Sequence, residues 1–113
     1  MEQRKYARVR VEYVVSLSGD RIRGHGIVLD LSVAGCKARN PVVVNWGDCF
    51  GVLIDVPRYE TPLYVDLAVV RWVHDQEFGL EFIRMQPVDQ QRLRDLVQAT
   101  EAAMACRQDT KSQ

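Results

Sequence analysis

Strand-like segments fill about the first 85 residues of the chain, and the spacing of apolar residues changes at Pro87. In the stretch 9–17, apolar and polar residues alternate, which places Val9, Val15 and Leu17 on one face of a strand and Glu12 on the other. Turn-forming residues separate this stretch from further strand-like stretches, which cover residues 21–31, 36–39, 49–55, 63–73 and 78–85. The pattern therefore predicts five to seven short strands.

After Pro87 the apolar residues follow a helical period, at Val88, Leu93, Leu96, Val97, Ala103 and Met104. Proline suits the first turn of a helix because its missing amide donor is not needed there. We therefore predict a helix over residues 87–105 and a polar tail over 107–113. Strands followed by one terminal helix predict a small antiparallel barrel or sandwich, and the length of 113 residues predicts a single domain over 1–113.

The composition excludes several classes of protein. Fifteen basic and fifteen acidic residues leave a formal net charge of zero, whereas general nucleic-acid binding needs a basic surface. No apolar run is long enough to span a membrane, and the first ten residues lack the apolar core of a signal peptide, so we expect a cytoplasmic protein. The cysteines and histidines do not have the spacing of metal ligands, which predicts no metal site.

The stretch DLSVAG, residues 30–35, combines turn-forming residues with polar side chains. If Leu29 and Leu31 face the core, the two-residue period of a strand places Asp30 and Ser32 together on the outer surface. Gly35 would then offer a backbone that accepts a positive φ and lets a ligand approach its amide. The turn is therefore predicted to present a carboxylate, a hydroxyl and an open backbone on one patch.

Arg4 and Arg8 lie in a basic leader, because the first ten residues contain four basic side chains and one acidic one. A guanidinium group matches phosphate oxygens or the O6/N7 edge of guanine. The carboxylate of Asp30 matches the opposite edge, since it can accept from N1–H and N2–H₂ of guanine. These two arginines and the turn suit a phosphorylated guanine nucleotide.

RKYAR (residues 4–8) and DLSVAG resemble the paired R-x-x-x-R and D/N-x-S-x-x-G motifs of the PilZ domain family, and FGLEFI (78–83) is similar to its last strand before the C-terminal helix. The resemblance covers roughly residues 3–105. It implies a six-stranded antiparallel barrel with one C-terminal helix, and a receptor for the bacterial messenger cyclic di-GMP. The residues that it assigns to the ligand are Arg4, Arg8, Asp30, Ser32 and Gly35.

Further residues extend this prediction. Trp72 could stack on a base, although such a tryptophan is more often part of a core. Lys5 and Lys37 could add positive charge near the phosphates. Gln3 stands where many relatives of the family have another arginine, so the number of bound ligand molecules stays open. Residues 1–8 are predicted to be a flexible arm that folds over the ligand as a lid.

Four function classes are compared for a chain of this kind. A hydrolase or cyclase would need a metal-ligand cluster or an activated nucleophile, and the sequence presents neither, so we do not expect an enzyme. An adaptor of the same fold that binds only protein is the alternative to a cyclic di-GMP receptor. A barrel for single-stranded nucleic acid would need exposed aromatic residues in a basic groove, which the strand pattern does not predict. A receptor without an output domain also implies an effector protein as partner.

Overall fold

The computed structural model describes residues 6–20, 23–40 and 43–111, with side chains as far as residue 105. Its elements, in chain order, are β1 (Val9–Ser18), β2 (Arg23–Leu31), β3 (Gly35–Arg39), β4 (Cys49–Asp55), β5 (Leu63–His74), β6 (Glu77–Arg84) and α1 (Pro87–Lys111). All six strands overlap the stretches that were predicted to be strands.

The six strands of the described residues form a closed antiparallel barrel with the neighbour order β1-β2-β3-β6-β5-β4. β1 pairs with β2 on one side and with β4 on the other, and these two pairings close the barrel. The prediction of an all-β fold with one terminal helix is confirmed, and of the two architectures that the pattern allowed, the barrel is the one that forms. Closure leaves no unpaired sheet edge around the barrel.

The alternation in β1 predicts the barrel core correctly. Val9, Val15 and Leu17 are each at most 2% exposed, while Glu12 is exposed. β-branched and other apolar residues from the remaining strands complete the interior, among them Val28, Leu31, Ala38, Val52, Ile54, Leu63, Val65, Val70 and Phe78. β-branched side chains favour this environment because they pack well on a pleated surface.

α1 begins at Pro87 as the sequence predicts, but it ends at Lys111 and not at residue 105. It therefore includes most of the segment predicted to be a polar tail. Residues 106–111 contain no glycine or proline, and their arginine, glutamine and lysine are good helix formers, so nothing in this stretch stops the helix. In the part of the chain that the structure describes, no helix is long and apolar enough to cross a membrane.

The first turns of α1 attach it to the barrel. Leu93, Leu96 and Val97 are buried, whereas Val88 and Met104 of the predicted apolar stripe are exposed. Val88 is in the first turn but on the side of the helix that faces away from the barrel, and Met104 lies beyond the buried residues. The carboxylate of Asp89 fastens this end, since Oδ1 accepts a hydrogen bond of 2.9 Å from Arg92 Nη1 and one of 3.3 Å from the backbone amide of Tyr64.

Candidate functional site

A β-bulge near the end of β2 determines which of its side chains face outward. Between Val28 and Asp30 the pairing with β3 skips Leu29, so Leu29 is an extra residue in the ladder. Val28 and Leu31 are buried, whereas Leu29 is half-buried. The predicted inward pair of Leu29 and Leu31 is therefore wrong for Leu29, because the bulge changes the phase of the strand before the turn.

Ser32 does not project from the surface as predicted, since it is only 5% exposed. Its hydroxyl oxygen accepts hydrogen bonds from the backbone amides of Ala34, at 3.1 Å, and Gly35, at 3.2 Å. The hydroxyl also lies 3.3 Å from the carbonyl oxygen of Gly35, to which it donates. Ser32 thus closes the turn through local bonds to the backbone, which is the usual role of a serine at such a position.

Gly35 is required for packing rather than for a left-handed backbone. The positive φ values among the described residues belong to Gly47, Arg58 and Asp75, so Gly35 does not adopt the conformation expected for it. A Cβ atom at Gly35 would overlap the carbonyl oxygen of Leu80 on the neighbouring strand β6. The glycine therefore lets β3 begin in close contact with β6, and its amide is already bonded to Ser32.

Arg8 and Asp30 meet beside this turn. Arg8 Nη1 lies 3.7 Å from Asp30 Oδ2, with the side chains 43% and 23% exposed. Such a distance makes an ion pair but not a hydrogen bond. The other carboxylate oxygen, Oδ1, is buried and has no hydrogen-bond partner among the described residues. Asp30 therefore retains capacity to accept hydrogen bonds from a ligand.

Trp72 is outside the core, with 40% of its surface exposed. The pairing of β5 with β6 is shifted between Val70 and Trp72, so Arg71 is the extra residue of a second bulge. A Cβ atom at Gly79 would overlap the indole ring, which shows that the ring of Trp72 lies directly on the backbone of β6. The bulge and the glycine together hold the indole on the outer surface of the barrel.

These side chains border one open cleft with a volume of about 310 Å³. Of the predicted ligand residues, Arg8, Ser32, Gly35 and Trp72 line it, together with Ala34, Cys36, Arg71, Gly79, Leu80 and Glu81. Asp30 reaches its edge through the contact with Arg8. The structure therefore brings the N-terminal arginine, the turn and the tryptophan to one place.

Lys37 is not part of this cleft. With Asp30 it lines a separate depression, and its Nζ lies 3.9 Å from Glu77 Oε1. Arg4 and Lys5 lie outside the described residues, as does the start of the predicted flexible arm. Within the described part of that arm, Tyr6 and Arg8 precede β1 in an irregular conformation.

The sequence patterns did not predict Arg71, Gly79 or Glu81 as residues of the site. Arg71 Nε donates a hydrogen bond of 2.6 Å to Glu81 Oε1, and both side chains lie at the cleft. The sequence signal for Arg71 is that it follows Val70 and directly precedes Trp72. Two large side chains in succession, one of them charged, interrupt the alternation of apolar and polar residues expected in a strand. Gly79 belongs to FGLEFI, the stretch that resembles the last strand of the family, but its contact with the indole was not predicted, because the ring comes from another strand.

Cys36 forms part of the cleft floor and is buried. Burial raises the pKa of its thiol from 9.0 to about 12; the negative charge of Asp30 adds to this rise, and the positive charge of Arg8 opposes it. The thiol is therefore protonated near neutral pH. Over the described residues, no group of three or more His, Cys, Asp or Glu side chains is placed to hold a metal ion.

Comparison with known proteins identifies relatives of this fold. The family model of the PilZ domain matches residues 2–99, and no curated protein matches the chain. Among solved structures, the PilZ domain of YcgR from Escherichia coli with c-di-GMP has a TM-score of 0.76 at 14% identity, covering 96% of this chain and 98% of that one.

Two longer proteins also contain the fold. YcgR from Escherichia coli in complex with c-di-GMP has a TM-score of 0.81 at 16% identity, and the match covers 97% of this chain. The Bacillus subtilis inhibitor of motility, MotI/DgrA, has a TM-score of 0.73 at 19% identity, and the match covers 91% of this chain. The chain spans about half the length of each, 51% and 53% respectively. At these identities the likeness shows the fold.

Proposed function

The chain belongs to the PilZ domain family, and we propose that it is a receptor for cyclic di-GMP that signals through a partner protein. The observation that carries this proposal is the meeting of Arg8 and Asp30 beside the Ser32–Gly35 turn and Trp72, around one cleft. These three groups suit a phosphorylated guanine. A guanidinium donates to its acceptor atoms, a carboxylate accepts from its N–H donors, and an exposed indole stacks on its ring.

The unused hydrogen-bonding capacity of Asp30 supports this proposal. Oδ1 has no partner within the described ranges, and Oδ2 has only the long contact to Arg8. N1–H and N2–H₂ of a guanine base would satisfy both oxygens once the carboxylate turns so that Oδ1, which is buried without the ligand, faces the base, and this would offset the cost of leaving a buried acceptor without a bond. Two YcgR structures of the same fold contain c-di-GMP, which agrees with this choice of ligand.

The proposed receptor binds its ligand by closing the N-terminal arm. Arg4 and Arg8 of the R-x-x-x-R motif would clamp guanine and phosphate, with Lys5 adding charge, while Asp30, Ser32 and Gly35 form the opposing platform. Ser32 and Gly35 would act by holding the shape of the turn, since their polar groups bond to each other. Hydrogen exchange of residues 2–10 tests the closure: protection that increases with cyclic di-GMP supports it, and unchanged exchange contradicts it.

A protein-binding adaptor without nucleotide is the second candidate. It is favoured by the fact that Arg8 and Asp30 already pair with each other and that Ser32 already satisfies the amide of Gly35. The turn is therefore complete without a ligand. In such an adaptor the same residues would stabilise the fold, and cyclic di-GMP would produce no heat on titration.

Calorimetric titration with matched variants separates the two candidates. We expect the protein to bind cyclic di-GMP and Arg8→Ala to bind it at least tenfold more weakly, because a charged group that contacts the ligand is lost. Arg23→Ala is the control, since it removes the same charge from an exposed position at the far end of β2. Equal affinities of both variants would show that Arg8 does not contact the ligand.

A further inference from the structure

Arg71 stands beside Trp72 at the cleft, although a regular strand would place neighbouring side chains on opposite faces. The bulge between Val70 and Trp72 removes this alternation, and both side chains line the same cleft. Since β-bulges commonly redirect a side chain toward a functional site, the paired exposure of a guanidinium and an indole is the feature that needs an explanation.

The guanidinium of Arg71 is held in place but is not saturated. Its Nε donates to Glu81 Oε1 at 2.6 Å, and the side chains are 47% and 50% exposed. Within the described part of the chain, the two terminal amino groups of Arg71 make no hydrogen bond or ion pair. Four of its five N–H donors thus remain for a ligand, and the contact with Glu81 limits the rotation of the planar fork.

The indole of Trp72 provides a surface next to this fork. One side of the ring lies against Gly79 on β6, and the ring is 40% exposed at the cleft. A base stacked on an exposed indole gains contact area independently of its identity. An adjacent guanidinium adds selectivity for guanine. Guanine presents the acceptors O6 and N7 along one edge, and a guanidinium fork matches them with two hydrogen bonds.

We propose that Arg71 is a specificity-determining residue that donates to O6 and N7 of a guanine base stacked on Trp72, with Glu81 as the residue that positions it. This inference rests on the proposed function and adds Arg71 to Arg8 as a second guanidinium of the same cleft that would contact the ligand. Asp30 recognises the N1 and N2 edge of guanine, and Arg71 recognises the other edge.

The test is a cycle that combines a protein variant with a ligand variant. Affinities for cyclic di-GMP and for its analogue with 7-deazaguanine bases, which lacks the N7 acceptors, are measured with the wild-type chain and with Arg71→Ala. We expect Arg71→Ala to weaken cyclic di-GMP binding about tenfold or more. We expect the wild-type chain to bind the analogue more weakly than cyclic di-GMP, and we call this ratio of affinities the penalty of the analogue. The penalty should be at least fivefold smaller in Arg71→Ala, since contacting groups are energetically coupled.

Arg39→Ala is the matched control for charge. Arg39 Nη2 lies 3.0 Å from Glu77 Oε2, so it is also an exposed arginine paired with a glutamate of β6, but it does not line the cleft. This variant is expected to keep the full penalty of the analogue. If the penalty is equal in wild-type and Arg71→Ala chains, Arg71 does not contact N7 and the inference is wrong, while the proposed function stands. If the wild-type chain does not bind cyclic di-GMP, both are wrong.

Discussion

The Arg8 guanidinium lies 3.7 Å from the Asp30 carboxylate, which joins the segment before β1 to the end of β2. Both side chains are partly exposed, and an ion pair of this kind contributes about 0–1 kcal/mol. A ligand that offers acceptors to Arg8 and donors to Asp30 can therefore replace the pair at little cost. Binding would thus exchange a weak contact between Arg8 and Asp30 for contacts of each group with the ligand as the arm closes.

Replacing Asp30 by alanine tests the base contact. We expect Asp30→Ala to weaken cyclic di-GMP binding by roughly ten- to a hundredfold, since a two-point contact to a base is worth ~1–3 kcal/mol. The barrel should remain folded, because among the described residues the Asp30 side chain makes one polar contact, the ion pair with Arg8. Calorimetry measures the affinity, and circular dichroism checks the fold. Asp55→Ala, which changes an exposed carboxylate of β4, is the control. Unchanged affinity in Asp30→Ala would contradict the assigned role.

Ser32→Ala tests the structural role of the turn hydroxyl. Two backbone amides, of Ala34 and Gly35, lose their acceptor in this variant. Leaving partly buried donors unpaired is expected to lower the free energy of unfolding by ~1–3 kcal/mol. Urea denaturation measures this difference, with Ser18→Ala at the exposed end of β1 as a control expected to change it by less than ~0.5 kcal/mol. A wild-type unfolding midpoint in Ser32→Ala would show that the hydroxyl does not stabilise the turn.

Gly79→Ala tests the position of the indole. The added Cβ atom would occupy the place of the Trp72 ring, so the ring must leave the backbone of β6. If a base stacks on this ring, binding should weaken by ~1–3 kcal/mol, about ten- to a hundredfold. Gly51→Ala is the matched control, since the nearest atom to its Cβ would be the Tyr64 hydroxyl at 3.6 Å, an ordinary contact. Trp72→Ala should reproduce the loss without altering Gly79; normal binding by Trp72→Ala would exclude stacking.

The buried thiol of Cys36 predicts a pH dependence of stability. Its pKa is about 12 in the folded chain, against an ordinary 9.0, so the folded state favours the protonated thiol. The resulting stabilisation is complete below pH 9.0 and is lost as the pH rises toward about 12. Between about pH 8 and about pH 10, the wild-type chain should lose ~1.4 kcal/mol more unfolding free energy than Cys36→Ala, because one pKa unit corresponds to ~1.4 kcal/mol. Parallel pH profiles of the two chains would contradict the burial of this thiol.

The strands and the start of the helix could be predicted from the sequence because they depend on local periodicity. The alternation in residues 9–17 identifies the core side of β1, and Pro87 marks the start of α1. The order DLSVAG likewise identifies a turn from its own composition. Each of these features is determined by residues that are close together in the chain, so the sequence alone is enough to predict it.

Other parts of the site could not be predicted, since they depend on how strands pair. The bulges at Leu29 and Arg71 exist only relative to β3 and β6, and a shift of one residue reverses the face of every following side chain. For this reason the inward position of Leu29 was predicted incorrectly, and Arg71 was not identified. Ser32 lies after the end of β2, and its outward position was predicted incorrectly because its hydroxyl bonds to the backbone of the turn. The need for glycine at residue 35 arises from the approach of Leu80 on another strand, which the turn sequence does not contain.

Titration of the unmodified chain with cyclic di-GMP tests the central claim most directly. Calorimetry at micromolar protein and low salt should give a saturable heat with cyclic di-GMP and none with cyclic AMP or cyclic GMP. The reason is that binding is expected to require contacts to both guanines and both phosphates of one ligand, and the two mononucleotides each have one base and one phosphate. The affinity should fall as salt is added, since arginines contact phosphate. No heat with cyclic di-GMP under these conditions, or equal heats with all three nucleotides, would contradict the account.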